Sequence, residues 1–296
     1  MHDFSVNPKS INLSYYKDYF KKTNSIIISN DLEINKKYQV VIMAAGKGSR
    51  MNLNYPKPIF KLNYPYGINS LIGNILYTLE NINFEISSVN VVINEKDESF
   101  FKSLKFNRSK INLIKLTENQ IRGTGICLYE SFTFLNKVED IILIWGDLAI
   151  FPMYILETAV LIKDNFDSDL VFPTRIKMNP YVSFLRDKAG NINEVLHSNE
   201  GNEHKGYAEQ DCSCFVIGSS SIDDFKFFIE NKNIDNKVEI DFIHFIPYLN
   251  SINKNVIGLP IVSENYVSGV NTIKKTKQVQ NILDNYDYDN YSNFFL

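Results

Sequence analysis

Two glycines and two cations follow the first strongly apolar stretch of the chain. The stretch "VVIM" leads directly into "AAGKGSRMNLNYPKP". Gly46 and Gly48 would let the backbone approach a phosphate closely and turn its N–H groups inward. Arg50 follows, and seven residues later Lys57 stands between two prolines. The pattern indicates an anion-binding loop at the end of a buried strand, which is where open α/β sheets bind their ligands.

Two common nucleotide-binding patterns do not fit this loop. The dinucleotide-binding fingerprint needs a third glycine, where this chain has Arg50 and Met51. The phosphate-loop NTPases need Gly-Lys-Ser/Thr, whereas the order here is Gly-Lys-Gly-Ser. A lone Gly-x-Gly also occurs in many tight turns, so the rest of the chain must decide which ligand the loop binds.

The elements around the loop alternate between strands and helices from residue 38 onward. Short apolar runs predict strands, and apolar residues at helical spacing predict the helices between them. That alternation is typical of an α/β domain with a mostly parallel sheet. After Pro180 the predicted strands become short, so we expect a small β-rich region at one edge. We predict an N-terminal extension over residues 1–37, with "SIIIS" as its strand signal, and one domain over 38–296.

Composition excludes several classes of partner. The net charge is −3, which gives no basic surface for nucleic acid or an anionic membrane. No apolar run reaches the roughly 20 residues of a membrane span, and the N-terminus has no signal peptide, so we expect a cytoplasmic protein. Neither the cysteines nor the histidines show the spacing of a metal site; they are Cys127, Cys212, Cys214, His2, His197, His204 and His244.

Four further segments follow the loop in a recognisable order. They are "ENQIRGTGICL", "ILIWGDLAIF", "AEQDCSCFVI" and "YVSGVNTIKK". Together with "AAGKGSRM" and "YPKP" they resemble the signature of the sugar-1-phosphate nucleotidylyltransferases, a family that includes the pyrophosphorylase domain of N-acetylglucosamine-1-phosphate uridylyltransferase. The resemblance covers residues 38–285. Some members also carry a left-handed β-helix acetyltransferase domain, and from the length of this chain we expect that domain to be absent.

The resemblance implies a fold and a reaction. The fold is the Rossmann-like, nucleotide-diphospho-sugar transferase type of sheet flanked by helices. The reaction is Mg²⁺-dependent transfer of a nucleoside monophosphate from UTP or CTP to a sugar 1-phosphate, with release of pyrophosphate. Two alternatives remain open, a cytidylyltransferase for a small phosphorylated alcohol or amine such as phosphocholine, and a nucleotide-binding module without catalysis. The partners are an NTP and a phosphorylated small-molecule acceptor, without nucleic acid or membrane.

Within this family the loop would bind the phosphates of the NTP. Arg50 would neutralise the leaving pyrophosphate, because a guanidinium can bind two oxygens at once. Lys57 would contact the α-phosphate or the acceptor phosphate, with its approach restricted by the flanking prolines. Considered alone, Arg50 or Lys57 would be interpreted as an ordinary solvent-exposed surface charge. The backbone N–H groups assigned to the β- and γ-phosphates are those of Gly46, Lys47, Gly48 and Ser49.

The family also implies a pair of metal ligands. Asp147 ends the apolar strand "DIILIWGD", and Asn271 lies in the late segment "SGVNT". One carboxylate and one amide oxygen suit a hard cation such as Mg²⁺ and do not suit zinc. Asp147 would fit equally well as the N-cap of the helix predicted to follow it, and the N-cap of the terminal helix is a plausible alternative role for Asn271.

The base and the acceptor are assigned from the remaining segments. Gly123 and Thr124 match the pair of residues that contacts the base in the family. Either Glu118 or Gln120 would contact the polar edge of the base. Backbone groups of Ala44 and Ala45 would supply the remaining contacts.

The acceptor segments depart from the N-acetylglucosamine pattern. Ser183 stands in place of a glycine, His197 stands about where a glutamate is expected, and Asp211 replaces an asparagine. Glu209 lies two residues before Asp211, so both carboxylates would share one face of a strand. That favours an acceptor with several hydroxyl groups or a cationic group. The alternative is that Asp211 pairs with Lys205 and holds the loop.

Overall fold

The computed structural model describes residues 34–46, 48, 51–232, 239–260, 268–270 and 272–285. The predicted "SIIIS" strand and the aromatic C-terminal segment lie outside these residues, as do Lys47, Ser49, Arg50 and Asn271. Across the described parts of the chain, every helix is too short or too polar to cross a membrane.

The first half of the chain alternates as the sequence predicts. Its strands are β1 (Lys37–Met43), β2 (Glu85–Asn94), β3 (Lys110–Leu116) and β4 (Asp140–Trp145). Between them lie helices α1 (Leu71–Asn81), α2 (Glu98–Phe101) and α3 (Gly123–Ser131). The hydroxyl of Ser70 caps α1 by accepting a hydrogen bond from the Gly73 N–H. These four strands pair in parallel in the order β3–β2–β1–β4.

The second half is richer in short strands. They are β5 (Leu148–Ile150), β6 (Leu170–Met178), β7 (Val182–Arg186), β8 (Ile192–His197), β9 (Tyr207–Asp211), β10 (Cys214–Ile217), β11 (Val256–Pro260) and β12 (Ser268–Gly269). The helices are α4 (Met153–Asn165), α5 (Ile222–Lys232), α6 (Phe245–Ser251) and α7 (Ile273–Leu283).

One strand of the second half lies in the middle of the main sheet. The sheet continues from β4 through β10, β6, β9 and β7 to β8, and β11 pairs in parallel with β6. Strand β10 is antiparallel to both β4 and β6. Our expectation that all the short strands form an edge region is therefore wrong for β10, and is met by β7, β8 and β9. The result is a mixed α/β sheet flanked by helices, with only parallel pairing from β3 to β4 and mostly antiparallel pairing beyond β10.

The sheet buries side chains on both faces. Val40 and Ile42 of β1 belong to one buried cluster, and Val41 belongs to another, as expected from the alternation of side chains along a strand. A third cluster joins α1 and α7 to β5 through apolar residues such as Leu71, Ala149 and Val279. Central strands buried on both faces read as continuous apolar runs, which is why the sequence predicts them well.

The two N-cap alternatives are not what the structure shows. Asp147 is followed by β5 rather than by a helix, and α4 begins six residues after it with Pro152 at its N-cap position. Helix α7 is capped by Thr272, whose side chain accepts a hydrogen bond from the Lys275 N–H. The cap of α7 is therefore Thr272, and the cap role is excluded for Asp147.

Candidate active site

A pocket of about 490 Å³ opens at the ends of β1 and β4. Both strands are parallel, so their carboxyl ends meet at the edge of the sheet where ligands of α/β proteins bind. Four predicted site residues that follow β1 line the pocket, namely Ala44, Ala45, Gly46 and Gly48. Four predicted site residues from later segments also line it, namely Lys57, Gly123, Thr124 and Asp147. The structure thus brings eight of the predicted residues to one pocket.

Lys57 and Asp147 meet at one wall of this pocket. The ammonium Nζ of Lys57 lies 2.5 Å from Oδ2 of Asp147, and the two side chains are 14% and 25% exposed. Gly146 makes the meeting possible, because a Cβ there would come within 2.8 Å of the Met43 carbonyl and 3.0 Å of the Pro58 ring. Close packing of Pro58 on Gly146 places the preceding Lys57 beside the following Asp147.

The segment at Gly123 forms another part of the wall. Its φ is +85°, and a Cβ there would lie 2.4 Å from the carbonyl oxygen of Ile240. Gly123 is therefore required by a backbone crossing as well as by any ligand. The neighbouring Thr124 donates from its N–H and its hydroxyl to Oδ1 of Asp241, at 3.1 and 3.0 Å, and its hydroxyl accepts from the Phe242 N–H.

Two further wall residues were not singled out by the sequence for this role. Trp145 lines the pocket and packs against Phe215 and Phe242, with ring centroids 5.2 and 6.1 Å apart. Cys127 also lines it, and burial raises the pKa of its thiol to about 12. That thiol stays protonated at neutral pH, so Cys127 contributes an apolar surface and not a nucleophile.

The two candidates for contact with the base edge point elsewhere. Glu118 accepts hydrogen bonds from Asn94 and Lys96, and its side chain is about half exposed. Gln120 is engaged in a capping box with Thr117 and donates to Glu130. In the described part of the chain, neither side chain lines the pocket.

Known proteins resemble the chain along most of its length. It is 25% identical over 264 residues to the bifunctional protein GlmU of Buchnera aphidicola subsp. Schizaphis graminum, covering 84% of this chain and 54% of that protein. It is 29% identical over 166 residues to GlmU of Francisella tularensis subsp. novicida, covering 55% and 34%. No family model matches the chain. It spans between about a third and about half the length of the curated relatives it matches.

A solved structure gives the same picture of the fold. HddC from Yersinia pseudotuberculosis, complexed with GMP-PN, superposes with a TM-score of 0.55 at 17% identity, covering 82% of this chain and 98% of that one. The chain is thus similar in sequence to GlmU and shares the fold of HddC. The family resemblance and the α/β fold predicted from the motifs are confirmed.

The predicted acceptor residues lie on the β7–β8–β9 side of the sheet and, among the described residues, none of them lines the pocket. Glu209 is 2% exposed and is held by Arg186 through two contacts, of 2.7 Å and 2.6 Å. Ser183 is 1% exposed, and its hydroxyl has no hydrogen-bond partner in the described structure. The roles of these residues toward an acceptor stay a prediction.

Asp211 is buried at the end of β9. Its Oδ1 accepts a hydrogen bond from the Ser213 N–H at 2.7 Å. Burial raises the pKa of Asp211 above its ordinary value, against the opposing effects of the Ser213 N–H and the charge of Arg175. The pairing with Lys205 considered from the sequence is not what holds this carboxyl.

Sequence reasoning missed a group of polar residues next to the pocket. Asp241 and Glu239 line the pocket, and Oδ2 of Asp241 lies 3.6 Å from Nδ1 of His197. His197 in turn neighbours Glu200, which accepts from Nε2 of His244 at 2.7 Å. The fold brings His197 and His244 together although they are 47 positions apart, a grouping that their spacing in the sequence does not indicate.

Proposed function

We propose that this protein transfers a nucleoside monophosphate from UTP or CTP to a sugar 1-phosphate and releases pyrophosphate. The observation that carries the proposal is the Lys57–Asp147 pair, which lines a pocket bounded by the glycine-containing loop at the end of β1. A cation and a carboxylate at the carboxyl ends of two parallel strands are suited to bind phosphates and a divalent cation together.

The reaction joins two anions, so positive charge must be supplied at the phosphates. Lys57 is paired with Asp147 in the structure, and the incoming phosphate oxygens would compete with Asp147 for its ammonium. Arg50 would bind the leaving pyrophosphate. The attacking phosphate oxygen is already ionised, so no general base is needed, and positioning and electrostatic stabilisation supply most of the catalysis.

The donor set at the end of β4 fits Mg²⁺. Asp147 supplies a carboxylate, and the Val270 N–H donates to its carbonyl oxygen at 3.2 Å, which ties the segment around Asn271 to this strand end. Asp147 and Asn271 would hold the cation through hard oxygen ligands. When bound, Mg²⁺ would neutralise phosphate charge during displacement.

Other residues of the pocket lining would receive the base and the ribose. Gly123, Thr124 and Trp145 line it, together with Ala44 and Ala45. The Ala44 N–H donates to the Val92 carbonyl at 2.8 Å, whereas the Ala45 N–H has no backbone acceptor among the described residues and would be the one that contacts the nucleotide. The similarity to GlmU and the nucleotide analogue bound to HddC support nucleotide binding by this chain.

Release of pyrophosphate from a panel of substrates tests the proposal. The full chain with Mg²⁺ is incubated with each of the four NTPs and with hexose 1-phosphates, N-acetylhexosamine 1-phosphates or phosphocholine as the acceptor. We expect release with a pyrimidine NTP and a sugar 1-phosphate, abolished when either is left out. Release from CTP with phosphocholine, and with none of the sugar 1-phosphates, would establish the cytidylyltransferase alternative. Nucleotide binding without release for any pair would show a binding module and overturn the proposal.

A further inference from the structure

Three metal-ligating side chains converge beside the pocket. They are His197, Glu200 and His244, and their ligand atoms all lie within 4.8 Å of one another. Oε1 of Glu200 lies 3.4 Å from Nδ1 of His197 and 2.7 Å from Nε2 of His244. Nothing in the proposed nucleotidyl transfer requires two imidazoles and a carboxylate at this position.

The local backbone builds this convergence. His197 ends β8 and is followed at once by a 3₁₀ turn over Ser198–Glu200. Residues three apart lie on the same side of a 3₁₀ turn, so His197 and Glu200 face one way. The turn is fixed to β7 by the Ser198 N–H, which donates to the Tyr181 carbonyl at 3.0 Å. The edge of the Tyr181 ring packs on His197, with centroids 4.8 Å apart, and restrains the imidazole.

The third ligand comes from a different part of the chain. His244 ends a 3₁₀ turn over Phe242–His244 that precedes α6. Asp241 begins that turn and is held by Thr124 of the pocket wall. A bond between His244 and the β8 turn would therefore join the acceptor side of the sheet to the pocket wall.

One of the two printed separations already has the spacing of ligands on one small cation. Zinc bonds to histidine nitrogen and carboxylate oxygen are about 2.0–2.1 Å long, so two ligands of a tetrahedral ion lie about 3.3 Å apart. The separation between His197 and Glu200 is 3.4 Å, which already matches. The separation between His244 and Glu200 is 2.7 Å, a hydrogen bond that opens by about 0.6 Å when an ion enters.

We propose that His197, Glu200 and His244 bind one late first-row divalent cation, with Zn²⁺ as the best match. Imidazole nitrogen selects Zn²⁺ over Mg²⁺, whereas the oxygen ligands proposed at Asp147 select the reverse. The protein thus has two cation sites of different chemistry. Two imidazoles and one carboxylate leave the fourth tetrahedral position open. The Zn²⁺ site clamps the β8 turn to the segment that carries Asp241.

Zinc titration of the full chain tests the proposal without any substrate. The chain is freed of metal with a chelator and titrated calorimetrically with ZnCl₂, and then with MgCl₂ as a comparison. We expect one equivalent of Zn²⁺ to bind, with at least about tenfold weaker binding in Glu200→Gln and in His244→Asn. His204→Asn is the matched control, because His204 is outside the cluster, and it should bind like the parent chain. Co²⁺ should give the visible absorption of a tetrahedral site.

Two results would overturn the proposal. One is no zinc binding in the micromolar range, which would leave the cluster as a hydrogen-bonded network. The other is zinc binding that His204→Asn weakens as much as His244→Asn does, which would show adventitious binding to histidines. If His244→Asn does not fold, Glu200→Gln alone decides. Since no nucleotide or turnover enters the measurement, its outcome is independent of the proposed nucleotidyl transfer.

Discussion

Two ion pairs in this protein have different surroundings. Lys57 and Asp147 are joined by one contact of 2.5 Å, and both line the pocket. Arg186 and Glu209 are joined by two parallel contacts of 2.7 Å and 2.6 Å on the β7–β9 side of the sheet, where the Glu209 side chain is 3% exposed. Arg186 also donates to the Gly190 carbonyl at 2.8 Å.

The difference separates a pair that can exchange partners from one that cannot. A single contact at a pocket wall can be replaced by substrate oxygens and a bound cation. A bidentate pair that is almost fully buried is different, because removing one partner leaves a desolvated charge without compensation. Glu209 thus has a structural partner that the sequence did not indicate. Asp147 and Glu209 are both carboxylates at predicted site positions, but their surroundings differ. Asp147 lies at a pocket wall, whereas Glu209 is buried in an ion pair that stabilises the fold.

Breaking the buried pair should have the largest effect. In Glu209→Gln the Arg186 guanidinium loses the negative charge that its two contacts with Glu209 supply, so we expect the free energy of unfolding to fall by about 3–5 kcal/mol and Tm to fall by roughly 10 °C. Calorimetry and chemical denaturation measure this. The double variant Arg186→Met/Glu209→Leu should recover most of the loss, because apolar residues of similar volume can replace a buried pair. An unchanged Tm in Glu209→Gln would show that the pair contributes little to folding.

Breaking the Lys57–Asp147 pair should lower turnover and leave stability almost unchanged. Lys57→Ala removes the cation proposed to face the phosphates, so we expect turnover to fall by about 10²–10³-fold, with little change in Tm. Lys61→Ala is the matched control, because Lys61 is an exposed lysine four residues away that does not line the pocket. Pyrophosphate release and Tm are measured on the same samples. Equal rates for the two variants would remove Lys57 from the mechanism.

The contrast between the pairs also shows what the sequence could predict. Buried strands such as β1 and β4 are fixed by local apolar runs, and Asp147 lies just beyond the carboxyl end of β4 and lines the pocket there. Strand β9 has the polar sequence "YAEQD", so its sequence contains no apolar run that would predict a strand. The position of β10 between β4 and β6 depends on long-range pairing that periodicity does not encode.

The site shows the same division between local and long-range information. Lys57 and Asp147 follow from motifs, although the packing of Pro58 on Gly146 that joins them does not. Asp241 is visible in the sequence only as an acidic residue before a helical turn, and its contact with Thr124 spans 117 positions. The clustering of His197 with His244 likewise depends on which segments the fold brings together.

A change at Asp147 should shift the metal requirement rather than the fold. Asp147→Asn keeps an oxygen ligand but removes its charge, so a hard cation should bind more weakly. We expect the Mg²⁺ concentration for half-maximal pyrophosphate release to rise by at least about tenfold. The rate at saturating Mg²⁺ should recover in part. A Mg²⁺ titration that does not move would place the cation away from Asp147.

The smallest effect we expect comes from Asp211, a buried carboxyl that, unlike Glu209, has no bidentate counter-ion in the described structure. Burial raises its pKa above the ordinary value of 3.8, although the Ser213 N–H and Arg175 act in the opposite direction. Between the ordinary and the raised pKa the folded chain holds a proton that the unfolded chain has released. Stability contributed by Asp211 therefore falls as pH rises through this window, and stays lower above it.

Asparagine at this position does not titrate and can still accept the hydrogen bond from Ser213. We expect Asp211→Asn to match the parent chain in Tm near pH 4 and to exceed it slightly near pH 8, a difference of about 1 kcal/mol or less in the free energy of unfolding. Measuring the KM for the acceptor in the same variant distinguishes a structural role of Asp211 from a role in acceptor binding. A structural carboxyl changes the dependence of Tm on pH and leaves that KM alone. A sharp rise in KM for the acceptor, with KM for the NTP unchanged, would instead show that Asp211 contacts the acceptor despite its burial.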